Sequence, residues 1–432
     1  MDEAAIRNHA DILHEEIVCA LGCTEPIALA LAAAIARDVL GAEPEALQVA
    51  CSGNIIKNVK SVTVPNSGGM RGIEPAAILG AVGGDPHRAL EALESVTPKD
   101  IARTNELLAW RICDVGLAED VPGLYVRVVA RAAGHEAACT IEERHTNITE
   151  LTRDGAPVDA KPYGARPGAA SDGTLADRDA LTLASIWEFA HEADLELFRN
   201  IIEMQVSRNE AIADEGLAGD WGANIGSTLL ASRPSAATTR AKARAAAGSD
   251  ARMSGCSLPV AIICGSGNQG ITACVPVAEY ARDLGSTHEQ MLRAVALSDL
   301  TAVHAKHFIG ELSAFCGAVT AACGAGAGIC MLRGGSFAQY EATVVNTIAN
   351  VGGIVCDGAK PSCAAKIAAS VDAALLGCDM ALRHKNLQSG EGLVGTDAEE
   401  TIRSMGYVGR VGMHPTDIEI LNIMIGKTDV SA

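Results

Sequence analysis

The chain predicts an α+β fold, with a large, mostly helical lobe and a smaller α/β domain. Three observations lead there. Apolar residues recur three and four apart over the first forty residues and again beyond residue 180, whereas residues 47–155 mix valine-rich runs with hairpin signals. At 432 residues the chain exceeds one ordinary core, so two domains, or one domain with a large appended lobe, are expected. Hydrophobic residues make up 48% but aromatics only 3%, beside 44 glycines, so small and branched side chains must fill the interior and helices can pack backbone to backbone.

Taken in order, Ile6, Ala10, Leu13, Ile17 and Leu21 mark one face of a first helix, and residues 26–40 form a second apolar run. Thr24 is a plausible N-cap and Pro26 suits the first turn, which sets Cys23 just before a helix N-terminus, a place that lowers a thiol pKa. Val59, Val62 and Val64 mark extended chain, and residues 124–130 and 137–141 flank Ala133-Gly134 as a hairpin. Helical patterns cover residues 74–82 and 100–115. Residues 154–177, rich in proline and glycine, are the boundary loop. Beyond it, residues 181–191, 195–206 and 209–217 read as helices. The expected division is 1–45 as N-terminal helices docking on the C-terminal lobe, 46–175 as the α+β domain and 176–432 as the helical catalytic domain.

The formal charge of −19, from 34 basic and 53 acidic residues, argues against nucleic acid, whose phosphates need a positive footprint. Acidic residues interrupt positions 1–20, so no secretory signal is read and a cytoplasmic location is expected. Residues 312–332 carry no charge and approach a bilayer span in length, but their glycines and cysteines and the lack of an aromatic belt favour buried core over membrane. Fourteen cysteines in such a chain point to reduced thiols, most of them small buried hydrophobes.

Some of these cysteines sit where chemistry can use them. Cys316 opens a small-residue segment, and Cys356 and Cys363 follow seven residues apart. Three thiolates can hold three irons of a cubane cluster and leave the fourth open as a Lewis acid. The spacing alone matches neither ferredoxin runs nor the paired C-x-x-C of zinc ribbons. Cys323 and Cys330, at steps of seven from Cys316, compete with it for a ligand position, although the alternating Gly324–Gly328 run makes one helix through all three doubtful.

Four segments together, residues 22–34 (GCTEPIALALAAA), 52–69 (SGNIIKNVKSVTVPNSGG), 264–271 (CGSGNQGI) and 352–363 (GGIVCDGAKPSC), resemble the L-cysteine desulfidases nearly end to end. The chain is also distantly similar to the α-chain of iron–sulfur L-serine dehydratases, with Cys316-Gly317, Cys356-Asp357 and Cys363 in that family's order but with a shorter last interval. The resemblance implies a [4Fe–4S] cluster on Cys316, Cys356 and Cys363, with Cys23 as the base that takes the substrate α-proton. Two other readings of Cys23 stay open, a buried helix-entry thiol and a fourth cluster ligand. The reaction implied is β-elimination from a small amino acid: L-cysteine to sulfide, ammonia and pyruvate, or L-serine by the same chemistry.

Gly-rich turns aim backbone donors inward, so Asn66, Ser67 and Gly68, and Asn268 and Gln269, are expected to meet the substrate carboxylate at an interface between domains. His304, with Lys306 and His307 nearby, is placed to orient substrate or supply a proton, or else lies on a helix surface. The basic run at Arg240, Lys242 and Arg244 reads as a solvated helix face. A pyridoxal-phosphate dehydratase is disfavoured because Lys57 and Lys60 sit among Ile, Asn and Val rather than in a Schiff-base context. A non-catalytic iron–sulfur or zinc redox sensor remains the alternative of another class. The expected partner is a small-molecule amino acid, with no nucleic acid and no membrane, and a homodimer is left open.

Overall fold

The computed structural model describes residues 1–163, 175–310 and 312–428. Asp2 accepts from the Ala5 amide at 2.8 Å and starts α1 (Glu3–Glu16). The chain then enters a short strand, β1 (Val18–Leu21), before α2 (Thr24–Leu40), which closes on Gly41 in the left-handed region. The single apolar face expected through Ile17 and Leu21 is therefore split. Residues 18–21 pair antiparallel with a distant strand, and that pairing outweighs their helical spacing.

The smaller domain follows: β2 (Ala46–Cys51), α3 (Gly53–Val59), α4 (Ile73–Gly83), α5 (Pro98–Ala109), β3 (Cys113–Leu117), β4 (Tyr125–Ala132), β5 (His135–Glu142), β6 (Ile148–Arg153) and β7 (Ala156–Pro157). Its strands form one sheet in the order β3-β2-β4-β5-β6-β7, parallel between β2 and β3 and antiparallel elsewhere. The β4–β5 hairpin turns at Ala133-Gly134 as the sequence predicts. Extended chain at Val59 was not found, because Ser52 caps α3 and carries that segment as helix. The helix predicted over 100–115 stops at Ala109, since Arg111 takes a positive φ of 56° and turns the chain into β3.

In the helical lobe run α6 (Leu183–Glu192), α7 (Arg199–Ala218), α8 (Ile225–Ser232), α9 (Ala237–Met253), β8 (Pro259–Ile262), α10 (Gly267–Leu284), α11 (His288–His307), α12 (Gly317–Leu332), α13 (Phe337–Val351), α14 (Cys363–Leu382), α15 (Ala398–Tyr407) and α16 (His414–Met424). The uncharged stretch forms α12, buried among α10, α11, α13 and α14. Glycine makes that possible: a Cβ on Gly324 would stand 2.1 Å from the Ser298 carbonyl oxygen, so only a glycine lets α12 lie on the α11 backbone. Among the described residues no helix is long and apolar enough to cross a membrane.

The two parts share one continuous apolar core. β1 pairs with β8, Val18 opposite Ile262, and α1 lies on α11 and α6. By contrast α2 packs on α4 and on strands β4 and β5, so the first 45 residues divide their contacts between the two parts. Much of the expected boundary loop, at 164–174, lies outside the described residues.

Candidate active site

Four helices start at one cavity of about 110 Å³: α2 at Cys23, α10 at Ser266, α12 at Cys316 and α14 at Cys363. Each brings the positive end of its dipole, so the cavity favours negative charge. Local backbone pairing delivers the cysteines. An antiparallel bridge joins Phe315 to Val355, the Cys316 amide donates to Ile354 O at 3.0 Å, and the Cys356 amide donates to Ala314 O at 2.6 Å. Cys363 begins α14 a turn later, and all three cysteines line the cavity.

Burial, then the nearby Cys356, pushes the Cys316 thiol up, and burial likewise raises Cys363. Buried Cys316 with half-buried Cys356 and Cys363 is a donor set suited to a soft cationic centre. Among the described residues no three His, Cys, Asp or Glu side chains close around a single metal ion. A cubane spreads its thiolates wider than one ion does, and the three cysteines on one cavity fit that group. Lys366 stands beside them, bonded to Val355 O at 2.8 Å and ion-paired with Asp357. Cys323 and Cys330 are buried along α12 and do not line the cavity; Cys330 instead hydrogen-bonds Cys378.

The wall from α2 carries a second group. Cys23 donates to Glu25 Oε2 at 3.0 Å, Thr24 donates to the same oxygen at 3.1 Å and to Gly265 O at 3.0 Å, and Asn58 Nδ2 donates to Glu25 Oε1 at 2.8 Å. The lowered thiol pKa expected from the helix N-terminus does not survive here. Burial, and after it the charge of Glu25, drives Cys23 well above its ordinary range. Burial alone would also raise Glu25, but His145 and the Cys23 bond outweigh it and hold the carboxyl below its usual value. At rest, then, the proton sits on sulfur and the negative charge on Glu25.

His145 reaches the cavity from the β5–β6 loop of the smaller domain. It is buried, its Nε2 has no hydrogen-bond partner among the described residues, and burial lowers its pKa against the pull of Glu25. Arg252, in the last turn of α9, also faces the cavity and is only 3% exposed. Sequence reasoning singled out none of Glu25, Asn58, His145 and Arg252. Glu25 had a signal, two residues after Cys23 in the same motif; His145 had none. Upstream on α9, Arg240, Lys242 and Arg244 are not the solvated face expected: they are half-buried and ion-pair with Glu279 of α10, Asp372 of α14 and Asp214 of α7, bridging neighbouring helices.

Of the expected substrate contacts, Asn268 and Gln269 line the cavity. Gln269 is also structural: its Nε2 donates to Cys264 O at 3.3 Å, and its amide fills the space where Gly317 lacks a Cβ. Asn66, Ser67 and Gly68 do not line the cavity. Their turn is used internally, with Asn66 Nδ2 donating to Leu93 O at 3.0 Å and Ser67 Oγ to Met70 O at 3.3 Å, while Gly68 supplies a φ of 72°. Pro65 beside it packs against Gly22, so the turn supports the Cys23 wall from behind. His304 is also outside the cavity, buried with Nε2 2.7 Å from Glu399, and His307 pairs with Asp179. Lys306 does line it.

Against known families, residues 87–422 match the model of the serine dehydratase alpha chain. That span contains His145, Arg252 and the three cavity cysteines, while Cys23, Glu25 and Asn58 precede it. At full length, a UPF0597 protein of Finegoldia magna is 45% identical over 424 residues, covering 98% of this chain and 100% of its own. UPF0597 proteins of Lachnoclostridium phytofermentans and Desulfitobacterium hafniense are 46% and 44% identical, over 96% and 98% of this chain and 98% and 97% of theirs.

Proposed function

Because the chain belongs to the serine dehydratase alpha chain family, and at full length to the UPF0597 proteins, we propose that it is a lyase that eliminates the β-substituent of a small amino acid, with L-cysteine as substrate. The observation that carries this reading is one cavity lined both by Cys316, Cys356 and Cys363 and by the Cys23–Glu25 pair. Cys316, Cys356 and Cys363 would hold a [4Fe–4S] cluster, whose open iron supplies Lewis acidity toward the substrate and a soft partner for departing sulfur.

The chain's own residues must remove an α-proton that no unassisted side chain takes at neutral pH. Cys23 is positioned for it once its proton has passed to Glu25 Oε2 at 3.0 Å, leaving a thiolate to accept the proton from Cα. Asn58 and Thr24 hold Glu25 in place for that transfer. The Cα–H pair becomes the Cα–Cβ double bond, and the Cβ–S bond breaks with its electrons on sulfur. Hydrosulfide and aminoacrylate result, and water then converts aminoacrylate to pyruvate and ammonia. The four helix N-termini favour the anions present throughout.

L-Serine is the second reading, favoured by the family match itself. Anaerobic assay of pyruvate, with sulfide measured in parallel, tests both. Equal sulfide and pyruvate from L-cysteine, at higher kcat/KM than pyruvate from L-serine, is expected. The reverse order makes the protein a serine dehydratase, and no pyruvate from either ends the elimination reading.

A further inference from the structure

Arg252 is a buried charge for which the described residues provide no ion-pair partner. Its side chain is 3% exposed, and among the described residues no carboxylate comes within ion-pair distance of it. It hydrogen-bonds a thioether, Nη1 to Met253 Sδ at 3.5 Å, and its Nε has no hydrogen-bond partner among the described residues. Glu25, the acid whose charge Arg252 feels across the cavity, is already held by Cys23, Thr24 and Asn58. A guanidinium stranded this way is costly unless an anion completes it.

The surroundings define the anion. The guanidinium lies against the first residue of α10: a Cβ on Gly267 would stand 2.4 Å from Arg252 Nε and 2.9 Å from Cζ, so glycine is needed for it to reach the cavity there. Beside it, Asn268 donates its Nδ2 to the same Met253 sulfur at 3.2 Å, while its Oδ1 is buried without a donor among the described residues. A planar cationic fork next to an unfilled acceptor complements a carboxylate with an ammonium one carbon away. We propose that Arg252 anchors the α-carboxylate of the substrate and Asn268 Oδ1 receives its ammonium, so that the cavity selects free α-amino acids over amines, esters and amides.

This assignment deepens the elimination reading above and rests on it for the identity of the ligand, but its test does not need turnover. Binding of L-alanine, which has the carboxylate and no leaving group, is compared with that of L-alaninamide by calorimetry on anaerobically prepared protein of matched iron content. Wild type is expected to prefer L-alanine, and Arg252→Gln to bind it about 100-fold more weakly while its affinity for the amide is unchanged, the usual scale for a lost charged hydrogen-bonding partner. Arg252→Lys, which keeps the charge without the fork and guards against a folding defect, should recover part of the loss. Equal binding of acid and amide by wild type, retention of L-alanine binding by Arg252→Gln, or equal weakening for both probes would each overturn the anchor. If the binding pattern holds but wild type releases no pyruvate from cysteine or serine, the anchor stands and the elimination reading falls; pyruvate release without the pattern means the reverse.

Discussion

The Cys23 sulfur lies 3.0 Å from Glu25 Oε2, with both residues buried at the first turn of α2. One proton and one negative charge are therefore shared across this bond in a wall of the cavity.

Replacing Cys23 with Ala should leave iron content and fold unchanged while elimination falls by roughly 10² or more, the usual contribution of a positioned base. Cys23→Ser should be nearly as damaging, since a hydroxyl ionises far less readily than a thiol. Glu25→Gln should also slow pyruvate release by at least about tenfold, because the thiol loses its proton acceptor. Loss of iron together with activity in Cys23→Ala would make Cys23 a ligand instead.

Single serine replacements at Cys316, Cys356 and Cys363 should each lower iron and acid-labile sulfide per chain, whereas Cys323→Ser and Cys330→Ser should not. The structure separates the two groups: the first three line the cavity, and the other two are buried along α12 away from it. Iron retained in Cys316→Ser and lost in Cys323→Ser would reverse the assignment.

Asp299, buried in α11 with Gln205 Nε2 donating to its Oδ1 at 3.0 Å, is pushed by burial up to about 8. An unfolded chain releases that proton near pH 4, so between about pH 4 and 8 the folded state holds a proton that the unfolded state has lost. The contribution is full below pH 4 and declines as pH rises through 8, by up to about 1.4 kcal/mol per unit. Asp299→Asn should flatten this slope, raising the urea midpoint at pH 8 and changing it little at pH 4.5. Equal shifts at both values would show that Asp299 does not carry the dependence.

Asn66→Ala should lower stability by about 1–2 kcal/mol, because it loses the bond to Leu93 O and must hold alanine at a φ of 53°. Its KM should stay at the wild-type value. Asn66→Gly, free of the backbone strain, should lose less; a raised KM in either variant would return the turn to the substrate site.

The helical lobe was legible because its signals are local. Three- and four-residue spacing marks α6, and the run of small residues from 317 announces α12 and its close packing. β1 was not, since four residues within a helical pattern become a strand only through a partner some 240 positions away. The candidate site divides similarly. The cysteines and Asn268 and Gln269 stand out by residue type, although the latter two open α10 rather than form a loop turn, whereas Asn66–Gly68, equally prominent in the sequence, serves its own loop. His145 and Arg252 are ordinary in the sequence; what distinguishes them is an unpartnered atom inside the fold, a property of packing rather than of composition.

The cavity draws its walls from Cys23 near one end of the chain and from Cys363 far along it, and Lys57 on α3 is tied to Asp417 on α16. On the ribosome, where segments emerge in order, the first wall must wait for more than three hundred residues of synthesis before the last one exists. Whatever the three cysteines hold together can therefore be bound only after translation has passed residue 363, while α3 still awaits its partner on α16. Maturation would then be a separate step from synthesis, and overproduced protein would accumulate folded but unloaded whenever iron delivery lagged behind translation.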